Sequence, residues 1–224
     1  SSDYWDMFHD SDDNIQFTYN VVGKGYLQDT VGTDSPINFT GQHRCNVSDD
    51  QSIYSFKDKV GMIVVSTGEY LNTSGDKVRP TINESLPKID LSSVKNQKNV
   101  FGVISASEEI SDITRRYSFG TFVSIAPKEA TEEDTRVIIN SIGEGSIWIS
   151  NINGDLQNGD YITSSDIPGI GMKQDDDILR NYTVAKITQD CNFNLNSKNY
   201  TCEEFNFNGN TYKRAFVGCT YHCG

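Results

Sequence analysis

Histidine is scarce in this sequence. With only three copies, His9, His43 and His222, any Ser-His-Asp triad has to draw on one of them. No His-Glu-x-x-His zinc pair, Gly-rich phosphate loop or Gly-x-Ser-x-Gly nucleophile elbow is written anywhere in the chain. Long apolar runs are missing too. None approaches the roughly 20 residues a helix needs to cross a bilayer, so no helical membrane insertion is expected from these residues. Positive charge is in deficit, with 19 Lys and Arg against 31 Asp and Glu and a net charge of -12. A surface of that sign disfavours nucleic acid and anionic lipid as partners. No cofactor is expected, and the chain opens on Ser1 and polar residues as a piece of a longer polypeptide would.

What the sequence does have is concentrated between Ser141 and Asp177. Turn signals recur there at Gly143 to Gly145, Asn153-Gly154-Asp155, Asn158-Gly159-Asp160 and Pro168-Gly169. Between them lie the short β-branched and aromatic runs Ile147-Trp148-Ile149 and Tyr161-Ile162-Thr163. Such spacing predicts successive antiparallel hairpins and argues against a parallel βαβ unit. Gly and Asn at these positions serve positive-φ backbone and would weaken a helix by about 1 kcal/mol each. The fold class expected is therefore all-β, with at most one or two short helices.

Elsewhere the alternation Ile15, Phe17, Tyr19, Val21 predicts a strand, with a turn at Gly23 to Gly25. Val60 to Tyr70 and Asn99 to Ser105 read as core strands, the first apolar enough to be buried on both faces. Ser74 to Asn99, with Pro80, Pro87 and many charges, reads as a long loop or arm, and Glu108 to Arg116 as a charged, exposed stretch. Tyr117 to Ile125 alternates as one half-buried strand, and Thr131 to Asp134 offers a capping box for a brief helix. Tyr182 to Ile187 and Tyr212 to Tyr221 complete about ten strands. Three regions are expected: an aromatic-acidic motif at 1–14, a β-rich body at 15–190, and a cysteine-rich strand region at 191–224.

Four of the five cysteines, Cys191, Cys202, Cys219 and Cys223, fall in that last region and read as disulfide partners, with three pairings open. Cys45 is left as a buried free thiol. A zinc site combining Cys219, His222 and Cys223 is the sharper alternative, but neither C-x2-C knuckle is present, and no metal is expected. The acidic runs Asp10, Asp12, Asp13 and Asp175-Asp176-Asp177 read as solvated turns in preference to calcium loops. Six sequons, at Asn38, Asn46, Asn72, Asn83, Asn181 and Asn199, fit a virion-surface or extracellular location. Asn72, beside a Ser-Gly turn, is expected to be the best exposed.

The motif Asp3-Tyr4-Trp5-Asp6-Met7-Phe8, followed in order by GEGSIWISN, NGDYITSSDIPGIGMKQ and YTVAK, resembles the C-terminal autoprocessing intramolecular chaperone domain of bacteriophage neck-appendage and tail-spike proteins. This glutamic-peptidase-type family has relatives in large DNA viruses. The resemblance covers Asp3 to Phe8 and most of Val60 to Lys186. It implies a domain that follows a fibrous segment of the same polypeptide, assists its assembly as a homotrimer, and is then cut free. The scissile bond it implies is Ser2-Asp3, with Asp3 and Asp6 as the carboxylates at the cut. Trp5 stands where the family has alanine, and Asp6 where it has glutamate.

Two other functions compete with that one. The first is a non-catalytic structural glycoprotein module retained on a virion or extracellular filament. The second is a glycan-binding head built on aromatics such as Trp148 and Tyr161.

Overall fold

The structure is a computed structural model that describes residues 4–9, 15–20, 42–47, 59–71, 77, 79–80, 86–107, 114–119, 122–127 and 136–223. The protein is all-β, with fifteen strands and a 3-10 turn at Asn151–Asn153 among the described residues. Two compact units divide the chain, Ser1–Phe39 and Thr40–Gly224. In the first, β1 (Tyr4–His9) and β2 (Ile15–Asn20) form an antiparallel hairpin that pairs Tyr4 with Asn20 and His9 with Ile15.

The second unit is built from two closed rings of strands. The first ring takes β3 (Gln42–Val47), β4 (Ile63–Leu71), β5 (Leu86–Leu91), β6 (Val100–Ser107) and β9 (Arg136–Asn140), joined in the order β3-β5-β4-β6-β9. Its filling is a cluster of Cys45, Val47, Val64, Ile89, Ile104, Val137 and Ile139, in which Ile139 and Cys45 have no exposed surface. Closure leaves no free strand edge within such a ring, which protects the ladder from pairing with other chains. Between β6 and β9 a separate hairpin, β7 (Thr114–Phe119) with β8 (Phe122–Pro127), pairs Phe119 with Phe122.

The second ring takes β10 (Ile142–Ser150), β11 (Tyr161–Ser164), β12 (Gly171–Lys173), β13 (Thr183–Ile187) and β15 (Asn210–His222). The order is β10-β12-β11-β13-β15, and β15 pairs back onto β10 along its whole inner length, from Ile142↔His222 to Ser150↔Arg214. Strand β14 (Thr201–Phe207) lies outside the ring on the other half of β15. Alternation along β15 buries Ala215, Val217, Cys219 and Tyr221. These meet Ile147, Ile149, Ile162, Val184 and Ile187 in one core, to which Ile63 and Val103 of the first ring also belong. Of the last region, β15 is thus integral to the second ring and is its longest strand, with β14 attached at its edge.

The turn-rich segment after β11 joins the rings. Ile167 and Ile170 leave the second ring and close the first as part of its core. Ile63 N–H donates to the Gly169 carbonyl at 2.8 Å, and Gly169 N–H to the Ser92 carbonyl at 2.8 Å. Gly169 has φ of +72°, and a Cβ there would lie 2.9 Å from Met62 Cβ. No L-residue with a side chain fits both demands cheaply.

Several elements differ from the sequence-based expectation. The span 74–99 is not a loop throughout, because β5 lies in it and is central to the first ring. Pro87, opposite Tyr70, is tolerated because β4 is irregular between Ser66 and Tyr70, where a missing N–H breaks no regular ladder. The single strand expected over 117–125 is two, since the chain reverses between Phe119 and Phe122, where the sequence places Gly120 and Thr121. β7 also takes in Thr114 to Arg116, the end of the stretch expected to be charged and exposed. Strand β14 was not anticipated. Two pairs are parallel, β3 with β5 and β10 with β12, the latter inside the region expected to be purely antiparallel. The capping box at 131–134 and the turn at 23–25 lie outside the described residues.

Candidate functional site

Of the residues the sequence singles out for cleavage, Ser2 and Asp3 lie outside the described residues. Asp6 occupies the third position of β1, in register with Thr18 on β2. Trp5 is in register with Tyr19, and Met7 with Phe17. Tyr4–His9 of the aromatic-acidic motif are therefore strand, held by backbone pairing with β2 within the unit Ser1–Phe39.

In the larger unit, the residue pair closest to a catalytic arrangement is His43 with Ser141. Ser141 is the one residue between the last strand of the first ring and the first strand of the second. Its hydroxyl lies 2.9 Å from His43 Nε2, and its carbonyl accepts from Cys223 N–H at 2.9 Å. The His43 ring also packs at 5.3 Å on Phe101. A hydroxyl bonded to an imidazole is where nucleophilic catalysis begins. Ser141, however, is only 3% exposed, so a substrate carbonyl has no approach to it. The pair acts instead as a clamp at the junction of the rings.

His222 is placed differently. On β15 it lies on the opposite face from Cys219, because successive strand residues alternate. That alternation prevents the zinc set of Cys219, His222 and Cys223 from converging. Among the described residues no group of three or more His, Cys, Asp or Glu side chains gathers as a metal site. The ring of His222 meets Tyr161 edge-on at 6.2 Å, Lys186 lies over Tyr161 at 5.8 Å, and Thr220 Oγ1 is 3.3 Å from His222 Nε2. Burial, with Lys186 as a second cause, holds the imidazole below its ordinary pKa.

The acidic triplet is a braced turn. Asp176 pairs with Arg180 at 2.7 Å and accepts from Gln174 Nε2 at 2.7 Å. Arg180 first and Gln174 second hold its carboxyl below the usual range. Asp175 pairs with Lys95 at 2.9 Å. The buried Gln174 accepts in turn from Thr183 Oγ1 at 2.7 Å.

All five cysteines are free thiols in this structure. Burial pushes Cys219 and Cys223 up to about 12 and raises Cys45 further. These three are poor nucleophiles.

Asn181 and Asn199 are exposed, the latter just before β14. Thr183 of the first sequon is 1% exposed with its hydroxyl engaged. Asn46 lies within the closed first ring, in register with Lys88 and Arg136. Asn38, Asn72 and Asn83 lie outside the described residues.

Trp148 is committed to packing. Its ring tilts on Phe216 at 5.1 Å, the Arg214 guanidinium covers it at 4.7 Å, and Arg214 Nε donates to Glu203 at 2.7 Å. Sequence spacing carried no sign of this stack, of the His43–Ser141 clamp or of the Gly169 closure. No known protein family, curated protein or solved structure matches this chain.

Proposed function

We propose that this chain is a viral surface-appendage module, an intramolecular chaperone of the self-cleaving kind that assists trimeric assembly of a fibrous segment preceding it. Its reaction is a single cut at Ser2-Asp3, and its place is the virion surface or the extracellular space. The observation that carries the reading is the division of the chain. The body Thr40–Gly224 completes both rings from its own residues, while the aromatic-acidic motif sits in a separate unit. A domain that is severed from its fibre after assembly has to keep its fold without that fibre, and a body closed on itself meets the requirement.

In the cut, one carboxylate of the Asp3 and Asp6 pair activates water against the Ser2 carbonyl while the other, protonated, donates to the leaving amide. Two close carboxyls divide these roles because like charge raises one pKa above the other. Trimer formation supplies the geometry, so cleavage reports correct assembly. The test of the chaperone role is to express the fibrous segment with and without this domain. Trimers by sedimentation only when the domain is present support it, and trimers in both cases overturn it.

The structural glycoprotein is the second reading, favoured by the exposure of Asn181 and Asn199. Intact mass before and after glycosidase treatment of natively produced protein separates the two.

A further inference from the structure

The ladder of β15 restricts which cysteines can meet. Cys219 and Cys223 are four residues apart along extended backbone, since Tyr221 pairs with Gly143 and Cys223 N–H still donates to the Ser141 carbonyl. At about 3.3 Å per residue their Cα atoms are about 13 Å apart, beyond the roughly 7 Å a disulfide bridges. Cys202 sits opposite Ala215 on β15, four and eight residues short of the other two, and the same arithmetic separates it from both.

Cys191 is different. The chain leaves β13 at Ile187, opposite Cys219, and Thr188 N–H donates to the Gly218 carbonyl at 3.0 Å. It therefore runs along the same edge of β15 towards Ala215, the partner of Cys202. There Cys191 is fixed by two backbone bonds with Leu156, at 2.8 and 2.9 Å. Tyr200 folds the intervening loop back on its own start: its hydroxyl donates to Asn192 Oδ1 at 2.7 Å and accepts from Asn194 N–H at 3.3 Å. Tyr200 and Cys202 pack against the core cluster that contains Cys191. Burial first, and Cys191 second, raise the Cys202 thiol above its ordinary range.

We propose that Cys191 and Cys202 are a redox pair that closes as a disulfide and staples the 192–201 loop and strand β14 to the second ring. Cys45, Cys219 and Cys223 stay thiols. The electron acceptor is an external disulfide, such as oxidised glutathione. Cys202, the more exposed thiol, attacks it as thiolate, forming a mixed disulfide and releasing one thiol. Cys191 thiolate then attacks the Cys202 sulfur, forming the internal bond and releasing the second thiol. Two protons and two electrons pass from the pair to the external disulfide, which leaves as two thiols. The staple matters at this place because β14 pairs on one side only. An edge strand that frays is a template for unwanted pairing.

The test uses the whole chain equilibrated with oxidised and reduced glutathione, unfolded in an alkylating agent, digested and weighed without reduction. The expected result is one linked peptide pair joining Cys191 to Cys202, short by two hydrogens, with Cys45, Cys219 and Cys223 alkylated. The link is expected to persist in Cys219→Ser. Alkylation of all five cysteines overturns the proposal, as does a link that contains Cys219 or Cys223.

Discussion

The indole N–H of Trp148 donates to the carbonyl of Val60 at 3.1 Å, and so ties the second ring to the strand entry of the first. The neighbouring backbone bond, Trp148 N–H to the Gly61 carbonyl at 3.0 Å, runs beside it. Gly61 has φ of +89°, and a Cβ there would stand 2.4 Å from Phe216 Cε2 and 2.9 Å from Trp148 Cδ1. Gly61→Ala is therefore expected to destabilise the fold by about 3 kcal/mol, through backbone strain and overpacking together. Trp148→Phe, which loses the indole bond but keeps a ring, is expected to lose about 1–2 kcal/mol. Urea unfolding of the two variants checks the order.

The closure of the first ring by the segment after β11 gives a second expectation. Ser164 Oγ donates to the Val94 carbonyl at 2.8 Å and accepts from Gln97 N–H at 2.9 Å. Ser164→Ala removes both bonds from a fully buried side chain, while Val94 stays exposed to water, and is expected to destabilise by about 1–2 kcal/mol. Gly169→Ala is expected to be at least as severe, because its Cβ meets Met62 and its φ is positive. Hydrogen exchange should locate the loss of protection at Ile63, whose N–H donates to the Gly169 carbonyl.

A third expectation concerns pH. His222 has a folded-state pKa below its ordinary 6.5, because burial and then Lys186 disfavour the charged ring. The unfolded chain takes up this proton more readily than the folded one. Stability from this group is thus full above about pH 6.5 and falls as pH drops from there through the lowered folded value. His222→Gln removes this dependence. The difference between wild-type and variant stability, measured from pH 7.5 to 5, should narrow towards acid; a difference constant with pH contradicts the assignment.

How much of this was legible depends on where each element's information lies. Strands β4, β6, β10 and β11 announce themselves as apolar, β-branched runs between turn residues, because both burial and strand preference act locally there. β5 was hidden by its proline and its charged surroundings, and only the irregularity in β4 across from Pro87 explains its place. β14 carries Glu203 and Glu204 and is mostly exposed, so nothing in its own composition demands a sheet. β15 supplies that demand. The parallel pairings and the His43–Ser141 clamp, across 98 positions of chain, are set by ring closure and leave no short-range trace. The cysteine region was legible as a cluster, but its possible pairing emerged only from the register of β15.

The central claim is the cut at Ser2-Asp3, and the most direct measurement is N-terminal sequencing of the released domain from a precursor that carries the upstream segment. The account predicts a new N-terminus at Asp3, released without added protease and lost in Asp3→Asn and in Asp6→Asn. A mature protein that remains continuous through Ser2-Asp3 after trimer assembly would contradict it and leave the structural glycoprotein as the function of this fold.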